Sequence, residues 1–149
     1  MALPYQNATS GVNARAETVK ILRGFKCEKV GFMDEFSTGT VILAFVWRGR
    51  QVQLQASGKG WAAAFLKENP YHNKRRGTRE EYEQKALAQG MLAVNSILRD
   101  WVKGQVTAID TGILSFEEVF MPYILMPDGR RLIEHIADKK LLPPPVEED

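Results

Sequence analysis

Cysteine is almost missing from this chain: Cys27 is the only one in 149 residues. No disulfide can form within the chain, and no thiolate cluster can hold a metal. Histidine is nearly as scarce. His72 and His135 stand far apart, and neither HExxH nor CxxC occurs. A metal site needs three or four convergent ligands, so no metal or cofactor is expected, and both histidines read as surface side chains. Long apolar runs are lacking too. The longest, Val41 to Trp47, is too short to cross a bilayer. Residues 1–11 lack the basic-then-apolar order of a secretory signal. The chain therefore reads as cytoplasmic, with no membrane partner.

An excess of one charge is absent as well. Lys and Arg total 20 against 18 Asp and Glu, a net charge of +2. Any affinity for a polyanion must come from local clustering. Glu147, Glu148 and Asp149 gather acid at the end, which leaves the remainder more basic than the total implies.

What the chain does have is 44% hydrophobic residues, enough for one core at this length. The spacing predicts a single α+β domain over residues 13–140. A flexible amino terminus (1–12) precedes it and a proline-rich acidic tail (141–149) follows. Asn13 is placed to cap a helix over Ala14 to Arg23, with Val19, Leu22 and Phe25 on one face. Lys29 to Phe36 alternates as a strand, Val30, Phe32, Asp34 and Phe36 sharing a side. Thr40 to Trp47 is apolar on both faces, the pattern of a central strand covered on both sides. Gln51 to Ala56 points Val52, Leu54 and Ala56 inward. Short connections make these three an antiparallel meander. Ser57 to Gly60 reads as a flexible link before a short helix, Trp61 to Lys67, which stops at Asn69-Pro70.

Thr78-Arg79-Glu80-Glu81 has the form of a capping box. The longest helix follows, from Arg79 to Lys103 and onward as far as Asp110, with Gly112 as its end signal. Leu87, Met91, Val94, Leu98 and Trp101 form its apolar stripe, which reads as core before it reads as a dimer seam; a homo-oligomer stays open. Ser115-Phe116-Glu117-Glu118 is a second box, with Leu114 and Val119 as a staple, and the helix it opens meets Pro122. After a turn at Pro127-Asp128-Gly129, a last helix covers Arg130 to Lys139. The fold class is thus an amino-terminal helix, a three-stranded antiparallel meander, a long helix and a helical carboxyl-terminal hairpin.

No catalytic centre is legible, so the chain reads as a binding protein and not an enzyme. The order helix, three strands, helix also occurs in restriction-type nucleases, whose middle strands carry paired acids to hold a divalent metal. Here the second strand has no acid, and the third, Gln51 to Gln55, has neither carboxylate nor lysine. Asp34 and Glu35 have no obvious partner. Gly58-Lys59-Gly60 lacks the spacing of a Walker loop.

The strongest local feature is His72-Asn73-Lys74-Arg75-Arg76-Gly77-Thr78-Arg79. Four cations crowd the mouth of a helix amino terminus, where free amides and the helix dipole already favour an anion. Lys74, Arg75, Arg76 and Arg79 suit phosphate. The plain alternatives are a solvated loop offsetting Glu80, Glu81 and Glu83, and a dock for an acidic protein. Gln51, Gln53 and Gln55 form a polar sheet face flanked by Arg48 and Arg50. Arg48, Arg50 and Lys59 would extend the basic loop into one cationic surface if the fold brings them together. Trp47, Trp61 and Trp101 are candidate base-stacking platforms; the spacing of Trp47 and Trp101 on apolar faces reads first as core, and Trp61 stays open.

The element order, with cations before the second long helix, resembles the double-stranded-RNA-binding domain in topology, and more loosely the core of phage single-strand annealing proteins. Residues Ser96 to Lys103, Ser115 to Tyr123 and Leu125 to Arg130 are similar to small uncharacterised proteins of bacteriophages and prophages. That resemblance covers the carboxyl-terminal half and implies a context: a bacterial host cell, and genes that encode nucleic-acid handlers or inhibitors of host defence. The expectation is a non-catalytic nucleic-acid-binding accessory protein whose partner is DNA or RNA. The rival is an inhibitor that binds a host defence protein, of the anti-CRISPR kind.

Overall fold

The computed structural model describes residues 2–147. Met1, Glu148 and Asp149, the last two closing the acidic tail, lie outside them. The first helix, α1 (Gly11–Gly24), starts earlier than its sequence pattern indicated. Ser10 is the cap, its hydroxyl accepting the Asn13 N–H at 3.2 Å, so Asn13 stands inside the first turn. Serine and asparagine are comparable caps, and Gly11 in the first turn hid the true start. Ala14, Thr18 and Leu22 are buried, four apart on one face. The Thr18 hydroxyl donates to the Ala14 carbonyl at 2.8 Å, which satisfies it within the core.

The strands β1 (Lys29–Glu35), β2 (Thr40–Trp47) and β3 (Arg50–Ser57) form an antiparallel meander in the order β1-β2-β3. Phe32 lies opposite Leu43, and Leu43 opposite Leu54. Arg48 (φ 48°) and Gly49 (φ 78°) make the two-residue turn between β2 and β3, the left-handed pair that matches strand twist in a tight hairpin. Val41, Leu43 and Phe45 are fully buried, with Val52 and Leu54 beside them. The other face of β2, Ile42, Ala44 and Val46, stays half-exposed. β2 is therefore central as expected, yet covered on one side only. Small and β-branched residues on that face do not by themselves require a second layer.

The helices lie on the buried face. Ser57 accepts the Gly60 N–H at 2.8 Å and caps α2 (Gly58–Glu68). The presumed link is thus the first helical turn. α3 (Arg79–Asp110) has 32 residues, roughly 48 Å of helix. Thr78 caps it by accepting the Glu81 N–H at 3.1 Å. The helix continues through Gly104, and Gly112 (φ 77°) follows its end. Trp47 is sandwiched between Phe25 and Phe116, ring centres 5.4 and 4.1 Å away. None of the helices among the described residues is long and apolar enough to cross a membrane.

At the carboxyl end, α4 (Phe116–Phe120) runs into a 3-10 turn over Met121–Tyr123 that contains Pro122. Its capping box closes in both directions: the Glu118 N–H donates to Ser115 Oγ at 3.2 Å, and Glu118 Oε1 accepts the Ser115 N–H at 3.0 Å. Glu118→Ala is expected to lower unfolding free energy by about 1 kcal/mol, read from a urea midpoint; no change would mean the box is redundant. Leu125 donates its N–H to the Gln51 carbonyl at 2.8 Å, and Ile124 bridges Val52, so this segment covers the β3 edge. The last helix, α5 (Leu132–Asp138), begins two residues later than Arg130.

Residues 2–10, read from sequence as a flexible terminus, are hydrogen-bonded along α2 and α3. Pro4 O accepts from Trp61 Nε1 at 3.1 Å, Ala8 O from Gln89 Nε2 at 2.8 Å, and Tyr5 Oη donates to Asp100 at 2.6 Å. Hydrogen bonds from Arg99 and then from Tyr5 hold the Asp100 carboxyl below the usual carboxylate range.

Candidate nucleic-acid interface

The basic loop spans the gap between the carboxyl end of α2 and the amino end of α3, and two tyrosines brace it. Tyr82 Oη, from the first turn of α3, donates to the Asn69 carbonyl at 2.6 Å, and Tyr71 Oη donates to the Gly77 carbonyl at 3.0 Å. Gly77 sits at φ 78°, where a side chain would be strained and would also press on the Glu81 carboxylate. Within this brace the Arg75 N–H donates to the His72 carbonyl at 3.0 Å, closing a turn.

The four cations divide into pairs. The Arg75 guanidinium lies 4.7 Å from the Tyr82 ring centre, and that of Arg79 lies 5.6 Å from the Tyr71 ring centre. Lys74 and Arg76 project into solvent. Among the described residues, no ion pair joins any of the four to a carboxylate, Glu80, Glu81 and Glu83 included. The four cations are therefore not locked into contact ion pairs, though Glu80, Glu81 and Glu83 stand in the adjoining turn. A guanidinium resting on an aromatic face keeps its N–H edges free for an anion.

The wider cationic surface does not form. Arg50 is held by Glu117 at 2.6 Å, and Arg48 lies over Trp47, 4.5 Å from the ring centre. Both share a cleft with Ile109, roughly 45 Å along α3 from Arg79. Lys59 is at the other end of β2, its N–H on the Gly39 carbonyl at 3.1 Å, roughly 23 Å of strand from Trp47. Gly39 in turn approaches Leu87, which puts Lys59 on the basic-loop side, about 12 Å of helix from Arg79. Arg48 and Arg50 thus belong to a different region from Lys74, Arg75, Arg76 and Arg79. Gln51, Gln53 and Gln55 do share the open sheet face, Gln55 Nε2 donating to Gln53 Oε1 at 2.9 Å. Arg50 pairs across β2 with Trp47, on the buried side of the sheet, and so does not flank them.

An aromatic row beside the loop escaped the sequence reading. Trp61 stacks on Phe65 with centres 5.6 Å apart, Phe65 meets Tyr82 at 6.4 Å, and Tyr82 meets Tyr71 at 5.8 Å. The i, i+4 spacing of Trp61 and Phe65 was the available signal, but only the fold adds the tyrosines. Trp101 is in the core, edge-on to Phe120 and Tyr123.

Several other polar and reactive groups are engaged in contacts of their own. Asp34, without an obvious partner in sequence, is bound by Arg15 at 2.5 Å, and Arg15 also donates to buried Asn95 at 2.8 Å. His135 Nε2 lies 2.9 Å from Asp128, while His72 is exposed. Burial pushes the Cys27 thiol up to about 11, which leaves little thiolate at neutral pH. Among the described residues no group of three or more His, Cys, Asp or Glu side chains could hold a metal ion. Compared with family models, with curated proteins and with solved structures, the chain finds no match in any of the three. Function is therefore read from the geometry of this loop and its surroundings.

Proposed function

We propose that this chain is a non-catalytic nucleic-acid-binding accessory protein of a phage or other mobile element, acting inside a bacterial host, and that it binds mainly through phosphate contacts. One observation carries this reading: Lys74, Arg75, Arg76 and Arg79 stand together at the start of α3, and among the described residues none of them is in an ion pair with a carboxylate. Lys59 supports them from the same side. Arg48 and Arg50, which sequence reasoning grouped with them, drop out of the proposed contact.

Phosphate binding releases condensed counterions, so log affinity falls with log salt at about 0.9 per contact on duplex DNA. Four contacts give a slope of about −4 between roughly 50 and 200 mM salt. Each single alanine variant of the loop cations should reduce it by about one. Arg48→Ala and Arg50→Ala should leave the slope unchanged. Affinity that ignores salt, or a slope that responds to Arg50 and not to Arg76, would overturn the assignment.

A second reading has its own observation. Val12 and Phe36 are 78% and 84% exposed and line one cleft, floored by Arg15 and Asn95, at the start of α1. Paired exposed apolar side chains favour a protein partner, as an inhibitor of host defence would need. Pull-down from bacterial lysate separates the two readings: a partner retained after nuclease treatment and lost in Phe36→Ser supports the inhibitor, and capture that vanishes with nuclease rejects it.

A further inference from the structure

Between α2 and α3 lies an aromatic cleft of about 310 Å³, at the lower end of the range of small-ligand pockets, about 300–1,000 Å³. Trp61, Phe65 and Tyr82 form its walls, and Gln6, Gln89 and Lys85 complete it. The walls are held in place. The Trp61 indole N–H is tied to the Pro4 carbonyl at 3.1 Å, and its ring lies within 10° of parallel to Phe65. Tyr82 is tied to Asn69 and carries the Arg75 guanidinium 4.7 Å from its ring centre. A single tyrosine thus belongs both to the apolar cleft and to the cationic loop.

The polar groups of the cleft are complementary to one another. Gln6 accepts the Leu3 N–H through Oε1 at 3.0 Å, which leaves its amide NH2 as a donor. Gln89 donates to the Ala8 carbonyl through Nε2 at 2.8 Å, which leaves its amide oxygen as an acceptor. A donor and an acceptor beside aromatic surface are what the edge and face of a nucleobase require. The exposed Lys85 ammonium stands at the rim for a neighbouring phosphate.

We infer that this cleft takes an unpaired base of a single-stranded nucleic acid, with the phosphate of that nucleotide on Arg75. The inference rests on the phosphate reading of the loop and adds strand preference to it. A duplex holds its bases in the stack, and extracting one costs a few kcal/mol. The cleft therefore selects single strands, while the loop alone would accept either form.

The test uses the intact chain and four probes of equal length: oligothymidylate, oligouridylate, an abasic deoxyribose-phosphate oligomer and a DNA duplex. Base stacking on an aromatic wall predicts that oligothymidylate binds about tenfold or more tighter than the abasic oligomer. It should also outcompete the duplex at equal phosphate concentration. Tryptophan emission should change with oligothymidylate and not with the abasic oligomer. In Trp61→Leu that change and the base-dependent gain should both disappear, while abasic affinity stays; retained abasic binding shows that the variant is folded. Oligouridylate, which carries a 2′-hydroxyl and lacks the 5-methyl group, still offers a base to stack and should also bind tighter than the abasic oligomer; equal binding of the two would count against the cleft. If abasic and thymidylate oligomers bind equally, or the duplex binds tighter, the cleft assignment falls and the phosphate reading survives. If no probe binds, both fall.

Discussion

Gly90→Ala is expected to destabilise the fold by about 3 kcal/mol, the upper part of the usual range for overpacking a close contact, whereas Gly104→Ala in the same helix should stabilise it by about 0.5–1 kcal/mol. A Cβ built on Gly90 lands on the carbonyl oxygen of Gly58, with the Ala62 nitrogen at 3.4 Å. Both are backbone atoms of α2, so no rotamer change relieves the clash and the helices must separate. The reciprocal position is close too, though less rigid: a Cβ on Gly58 would meet the movable Met91 Sδ at 2.5 Å and the Met91 backbone nitrogen at 3.1 Å. A Cβ on Gly104 meets nothing within 4 Å, so alanine there only removes the entropy penalty of glycine within a helix. Urea unfolding of the two variants reads this as midpoint shifts of opposite sign. Equal midpoints would mean that α2 can ride away from α3 at little cost. Because Trp61 and Phe65 stand on α2 and Tyr82 on α3, separating the helices should also weaken any base-dependent binding.

That crossing shows where the limit of sequence reasoning lay. Elements specified by local chemistry were legible. The strand over Thr40 to Trp47, the Ser115 box and Gly112 each act within a few residues, and each appears where its spacing put it, although that strand is covered on one side and not on two. The α+β order followed from those local signals joined by short connections. Contacts between residues distant in the chain left no comparable trace. Nothing around Gly58 or Gly90 marks them as partners, and Ser57 to Gly60 looks like a link because two glycines outweigh a serine cap in any propensity sum. Arg48 and Arg50 appear close to Lys59 in sequence, yet an extended strand pair carries them to opposite ends of the sheet. Asp34 seemed unpartnered because Arg15 reaches it from another element. For the candidate site, the four loop cations were visible as a run. The aromatic row was not, since it takes two residues of α2, one of α3 and one of the loop to build it.

The Arg75→Ala/Arg76→Ala double variant should lose roughly a hundredfold in affinity for nucleic acid while remaining folded. The two side chains differ in what they do for the protein itself. Arg76 is exposed, with no ion pair among the described residues, so its loss should leave stability unchanged. Arg75 lies on the Tyr82 ring, and an exposed cation–π contact is worth about 0.5–1 kcal/mol. The pair therefore lowers unfolding free energy by no more than about 1 kcal/mol, too little to unfold an ordinary domain. Towards a phosphate each arginine makes a charge-assisted contact worth about 1.5 kcal/mol at the low end. Two together come to about 3 kcal/mol, a little over a hundredfold, and the salt slope should fall from about −4 to about −2. Arg75→Lys/Arg76→Lys separates charge from shape: the slope should return while part of the affinity does not, because an ammonium cannot present the guanidinium fork or lie flat on Tyr82. Should the alanine pair melt the protein, the arginines are structural. Should it bind as tightly as the parent, the loop is solvated surface, and the open glutamine face of the sheet becomes the place to look.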